Sequence, residues 1–170
     1  GSIDNRCRLV LEITEAITAA LGSERVGIKL TPYGIANDSG EENPMPLYTH
    51  LVKELDKLNL AYLHLIEPRA SGAGQREVDH KGVPSAAELF RPMWRGVLIA
   101  AGNFKGDSAN AMLAAGGADA IAFGRFFISN PDLPERLRQG SELNPYDRST
   151  FYGGREVGYL DYPSLDEAVS

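Results

Sequence analysis

The stretch Ala120-Ile121-Ala122-Phe123-Gly124-Arg125-Phe126-Phe127-Ile128 joins a short apolar run to Gly-Arg and then to a helical pattern. A strand, a glycine turn and a helix start containing an arginine make a seat for phosphate, built of bare amides and a guanidinium. Upstream, Val97-Leu98-Ile99-Ala100-Ala101 ends in Gly102-Asn103. In a parallel barrel, the loops after the last two strands are where phosphate is bound. From these residues alone, Arg125 serves either an anion or a helix start. The second use sets a cation against the positive end of the helix dipole. The glycines can equally be plain turn residues.

The elements that would position these loops alternate. A helix is expected over Ile3 to Leu21, with Ile3, Cys7, Val10, Leu11, Ile17 and Leu21 on its apolar stripe and Gly22 as its stop. Val26 to Leu30 reads as a strand, Pro46 to Leu58 as a helix and Ala61 to Ile66 as a strand. A long glycine-rich, charged loop covers Glu67 to Pro84, and a short helix covers Ser85 to Trp94. Then come a strand over Val97 to Ala101, a helix over Asp107 to Ala115 and a strand over Ala120 to Phe123. Helical pieces follow at Phe126 to Ile128 and Leu133 to Arg138, and a tail rich in Tyr, Gly and Pro begins at Ser141. Strands alternating with helices imply right-handed βαβ units and a parallel sheet. Four strands with long loops at their C-terminal ends fit half of a (β/α)8 barrel better than a complete domain. The exposed edges of a half barrel ask for a complement.

Bulk properties exclude several classes. The 170 residues fit one domain, and the net charge of −6 argues against nucleic acid, which needs a basic face. No apolar run approaches the ~18 residues of a membrane span. Cys7 is the single cysteine, so a disulfide framework or a cysteine metal cluster is not expected. It reads as a buried small hydrophobe. The three histidines show no metal-ligand spacing, and His64, on an apolar strand, reads as a satisfied core residue. A reducing cytoplasm suits all of this.

With these pieces in order, the chain resembles the C-terminal half of the old yellow enzyme family, the FMN-dependent ene-reductases that include the N-ethylmaleimide and oxophytodienoate reductases. The landmarks are Gly1-Ser2-Ile3-Asp4-Asn5-Arg6, Val26 to Pro32, Tyr62-Leu63-His64-Leu65, Ala101-Gly102-Asn103-Phe104, Phe123 to Asp132, Leu143-Asn144, Phe151-Tyr152 and Gly158 to Pro163. The resemblance implies residues 1–170 as one half-barrel with a C-terminal tail, supplying strands five to eight of a (β/α)8 TIM barrel. The N-terminal half is absent from this stretch. The family's substrate clamp and its tyrosine proton donor belong to that other half, so no catalytic residue is expected here.

The resemblance also assigns roles. Arg125 would pair with the FMN phosphate, with Gly102, Asn103 and Gly124 completing the cup. Lys29 sits mid-strand where the family carries an arginine near the pyrimidine end of the flavin, so charge is kept and the bidentate fork is lost; from the residues alone it is equally a solvent-facing lysine on a strand end. Phe151 would pack on the flavin and Tyr152 would line the substrate pocket; from sequence alone both equally pin a loose tail. Phe104 and Phe126 read as core. The loop opened by Glu67-Pro68-Arg69 would fold over the pocket mouth, and Arg69 and Arg76 read as solvated charge. No dinucleotide fingerprint is present. The family admits its hydride donor to the flavin itself, so NADPH or NADH is the implied donor and an activated alkene (an enone, maleimide or nitroalkene) the implied acceptor. The implied partner is the complementary N-terminal half of the same barrel, as a split, nicked or permuted enzyme. Two other readings stay open: a catalytically incomplete half-barrel that binds FMN or phosphate, and a barrel isomerase or aldolase acting on a sugar phosphate.

Overall fold

The computed structural model describes residues 1–34, 40–68, 83–151, 153 and 155–168, with the side chains of the last two left aside. Helix α1 spans Ile3–Leu21, and strand β1, Gly27–Leu30, follows it. Then come α2 (Pro44–Asp56), β2 (Tyr62–Ile66), α3 (Ala86–Phe90), β3 (Leu98–Ala101), α4 (Gly106–Ala114) and β4 (Ala120–Ala122). Three further helices close the chain: α5 (Arg125–Ser129), α6 (Leu133–Gln139) and α7 (Leu165–Ala168).

The strands form one parallel sheet in the order β1-β2-β3-β4. Successive side chains of a strand point to opposite faces, and the register keeps that alternation across the sheet. One face carries Leu30, Leu63, Leu65, Leu98 and Ala100, all buried in a core shared with Leu51, Val52 and Leu55 of α2 and Phe90 of α3. Truncating a fully buried leucine of this face, such as Leu63→Ala, is expected to cost about 2–5 kcal/mol. The other face carries Lys29, Tyr62, His64, Ile99 and Ala122 by the same alternation. It is much more open, with Lys29 exposed and Tyr62 39% exposed.

Local chemistry sets the element ends. Ser2 caps α1 by accepting the Asn5 amide at 3.2 Å, and Gly22, at φ 88°, stops the helix in a conformation that favours glycine. Cys7 is buried, its thiol 3.8 Å from the Leu47 carbonyl. The expected apolar stripe of α1 holds only in its first half. Ile17 and Leu21 stand 41% and 57% exposed, and with Leu9 and Ile13 they form a second apolar face at four-residue spacing. The inward turn belongs instead to Cys7, Val10, Leu11 and the buried Thr14, whose hydroxyl donates to the Val10 carbonyl.

Polar anchors fasten the tail. Arg136 is buried and donates to Asp132 Oδ1 (2.7 Å) and to the carbonyls of Glu142 (2.7 Å) and Pro163 (2.9 Å). Asp132 Oδ2 accepts the Leu165 amide at 2.7 Å. Asn130, fully buried, accepts the Asn144 amide at 2.7 Å, and Asn144 Nδ2 donates to the carbonyls of Ser129 and Pro163. These bonds return the segment after α6 to the C-terminal end of the sheet.

Candidate functional site

A cavity of about 360 Å³ opens at the C-terminal ends of the strands. Lys29, Gly102, Asn103, Gly124, Arg125 and Phe151 all line it. Residues from β1, from the loops after β3 and β4, and from the tail therefore meet in one space. Tyr152, Arg69 and Arg76 lie outside the described residues.

The loops after β3 and β4 are neighbours because their strands pair. Gly102 and Asn103 both take positive φ, 120° and 55°, which turns the chain sharply out of β3. Glycine adopts this at no steric cost, and asparagine tolerates it better than most residues. The turn sets Asn103 Oδ1 to accept from Arg125 Nη2 at 3.1 Å. Arg125 Nη1 donates to the Tyr146 hydroxyl at 3.3 Å. Two bonds from opposite sides orient the guanidinium. Gly124 meets nothing within 4 Å of where a Cβ would stand, so the space beside Arg125 is open. The expected helix contribution is small, because α5 has only five residues. Side chains, rather than a helix dipole, make this end of the cavity electropositive.

At the other end, Lys29 and His64 are register partners on adjacent strands, and both face the cavity. The His64 Nε2 atom is buried and has no hydrogen-bond partner among the described residues. The satisfied core histidine expected from the sequence is thus corrected. The alternation of β2 sends Leu63 and Leu65 into the core and His64 to the opposite face. Burial, reinforced by the Lys29 cation, pushes the imidazole below its usual range and keeps it neutral. An orphaned polar atom of this kind costs free energy until a partner arrives.

Several lining residues were not singled out by sequence reasoning. Arg148 comes from the tail, and so does Tyr146, which does not line the cavity but holds Arg125. A Tyr-x-Arg three residues before Phe151 was the available signal, but nothing in its spacing ties it to β4. Phe126, expected in the core, lines the cavity and meets Tyr146 edge-on, with ring centroids 5.4 Å apart. Phe104 is buried in the core and also borders the cavity. Glu67 does structural work at the base of its loop. It is buried and accepts the Ser85 hydroxyl (3.0 Å) and the amides of Ala86 (2.9 Å) and Ala87 (3.0 Å).

FMN meets complementary groups here. Arg125 would suit its phosphate, and Lys29 and the unsatisfied His64 Nε2 would suit its polar ring edge. A parallel βα architecture with a cationic cavity at the strand C-termini is the kind of site at which barrel families hold a phosphorylated ligand or cofactor. The chain belongs to one such family: the profile of the NADH:flavin oxidoreductase / NADH oxidase family, which is FMN-dependent, matches residues 1–144. It is 45% identical to the flavin oxidoreductase hxnT of Emericella nidulans, over 96% of this chain and 46% of that protein. It is 40% identical to 12-oxophytodienoate reductase 2 of Arabidopsis thaliana, over 99% and 44%. Among solved structures, morphinone reductase superposes with a TM-score of 0.82 at 46% identity, covering all of this chain and 44% of that one. The old yellow enzyme from Trypanosoma cruzi gives 0.84 at 34% identity, covering 96% and 41%. A further morphinone reductase structure is a complex with tetrahydroNAD. The chain thus spans less than half the length of the curated relatives it matches. No helix among the described residues is long and apolar enough to cross a membrane.

Proposed function

We propose that residues 1–170 are the C-terminal half of a (β/α)8 barrel. Together with the complementary N-terminal half, they form an FMN-dependent NAD(P)H:alkene oxidoreductase acting on activated C=C bonds. The observation that carries this reading is the placement of Arg125, braced by Asn103 and Tyr146, at one end of a cavity with Lys29 and His64 at the other. When bound, FMN supplies the hydride relay between nicotinamide and alkene.

This chain's residues bind and tune. Arg125 takes the phosphate, with Gly102, Asn103 and Gly124 lending backbone. Lys29 sets a fixed positive charge against the ring edge that becomes negative on reduction, a preorganised electrostatic contribution. Phe151, which lines the cavity, would pack on the ring. Tyr152 is assigned to the substrate side of the pocket. The proton given to the alkene comes from a tyrosine of the other half.

The test is reconstitution. The chain is combined with the N-terminal half, and flavin absorbance and NADPH or NADH oxidation are followed with and without an enone, a maleimide and a nitroalkene. Alkene-dependent oxidation by a yellow assembly is expected. A yellow assembly inert toward all three alkenes would leave a flavin-binding fragment in place of this reading. An assembly that binds no flavin would overturn it entirely.

A further inference from the structure

The Tyr146 ring gathers two cations. The guanidinium carbon of Arg125 lies 5.4 Å from the ring centroid and that of Arg148 lies 5.7 Å away. Phe151 packs on the same ring with centroids 5.8 Å apart. Arg148 lines the same cavity as Arg125, Asn103 and Gly124. It reaches that position from the tail, at the start of a 3₁₀ turn over Arg148–Thr150 capped by Asp147, whose carboxylate accepts the Ser149 amide at 2.8 Å. The Asn130–Asn144 and Arg136–Pro163 bonds hold that tail down on either side of it. Two guanidiniums brought to one ring from segments far apart in sequence raise the positive potential at one mouth of the cavity. A ring face holds a cation weakly at an exposed site, by about 0.5–1 kcal/mol. A phosphate monoester carries up to two negative charges and three strong acceptor oxygens. A single guanidinium offsets one of those charges and leaves the second without a cationic partner.

We propose that Arg148 is the second cation of the anion seat and makes it selective for a phosphate monoester. This deepens the reading of the cavity as a flavin site and rests on it. Arg125 and Asn103 stand on the loops after β4 and β3, whereas Arg148 arrives with the tail, as does the Tyr146 hydroxyl that accepts from Arg125. The seat is therefore complete only when the tail is docked, and a bound phosphate ties the tail to the barrel.

The experiment titrates FMN, riboflavin and inorganic phosphate against the assembled protein and its Arg148→Met and Arg148→Lys variants. Arg148→Met should weaken FMN about fivefold and leave riboflavin unchanged, and Arg148→Lys should recover part of the loss. Unchanged FMN affinity overturns the proposal. So does an equal loss for FMN and riboflavin, which would make Arg148 a structural tail residue. The other source of a phosphate monoester is the nicotinamide nucleotide. A change in the NADPH-to-NADH preference with FMN affinity intact would assign Arg148 to the hydride donor and overturn its place in the flavin seat. If wild type binds neither flavin, the flavin reading falls on its own. Inorganic phosphate then decides: binding that Arg148→Met weakens supports a two-cation seat, and equal binding overturns it.

Discussion

The two ends of the cavity are built on opposite principles. At the Arg125 end orienting bonds are already made, from Asn103 Oδ1 and from the Tyr146 hydroxyl. At the Lys29 end a buried imidazole nitrogen stands without a partner among the described residues, beside an exposed lysine. The first end is preorganised, so binding there costs little reorganisation. The second end holds an unmet need that a ligand, or the rest of the barrel, must satisfy. An anchor that is ready beforehand can capture the phosphate first. The ring edge is then read by groups whose satisfaction depends on what arrives.

The largest effect should come from removing the anchor. Arg125→Ala takes away a charge-assisted contact of roughly 1.5–3 kcal/mol, so FMN affinity of the assembled protein should fall about tenfold or more. Riboflavin, lacking the phosphate, should bind wild type and variant almost equally. Parallel losses for both ligands would make Arg125 a scaffold residue and erase the contrast between the ends. At the far end, Lys29→Met should lower the flavin midpoint potential. The same 1.5–3 kcal/mol, if lost only in the reduced state, amounts to roughly 30–60 mV for a two-electron couple. Lys29→Arg should keep the potential or raise it. A potential unmoved by Lys29→Met, with FMN still bound, would place Lys29 away from the ring.

A smaller effect tests the bracing. Asn103→Gly keeps the positive-φ backbone and deletes the acceptor for Arg125, so FMN should weaken by roughly threefold while riboflavin stays level. The smallest effect concerns His64. Its proton affinity is lowered by burial and by Lys29. The unfolded chain therefore binds this proton more readily than the folded one, and stability falls as pH drops below the ordinary histidine value of 6.5. The contribution is fully present above that value and is lost as pH falls toward the depressed folded one. Thermal melts of the flavin-free protein between neutral and mildly acid pH should show wild type losing more stability than His64→Gln. Equal slopes would mean that His64 is solvated after all.

Much of this arrangement was legible in the residues. The alternation of apolar runs with helical periods marked every strand to within a residue or so, because parallel strands buried against helices leave dense apolar signatures such as Leu63-His64-Leu65. Gly102-Asn103 announced its loop through composition, since few residues other than Gly and Asn take such positive φ, and Gly124-Arg125 announced the start of α5. The outer face of α1 was misread because Ile17 and Leu21 share a helical period with the core residues. Periodicity counts apolar positions without showing which neighbour covers them. The state of His64 was hidden for a related reason: alternation gives the face, and only the fold decides whether a partner waits there. Tyr146 and Arg148 were beyond reach, because their place depends on the tail being pulled back by Asn130, Arg136 and Asn144. Nothing local in the sequence encodes bonds over such separations.

The strand order β1-β2-β3-β4 has a kinetic consequence. Each strand pairs with the one before it in the chain, so the sheet can grow by adding one βα unit at a time. Such an array behaves like a short repeat protein, with stability close to a sum of nearest-neighbour terms. Paired strand residues are still far apart in the chain, as Gly27 and Tyr62 or Leu63 and Leu98 are, so each parallel pairing forms slowly, but a ribosome delivering the units in order meets no topological obstacle. The same logic makes the terminal strands the first to fray. For the chain without its complementary half, amide exchange should therefore be fastest at β1 and β4 and slowest at β2 and β3, and assembly with that half should slow it at both edges.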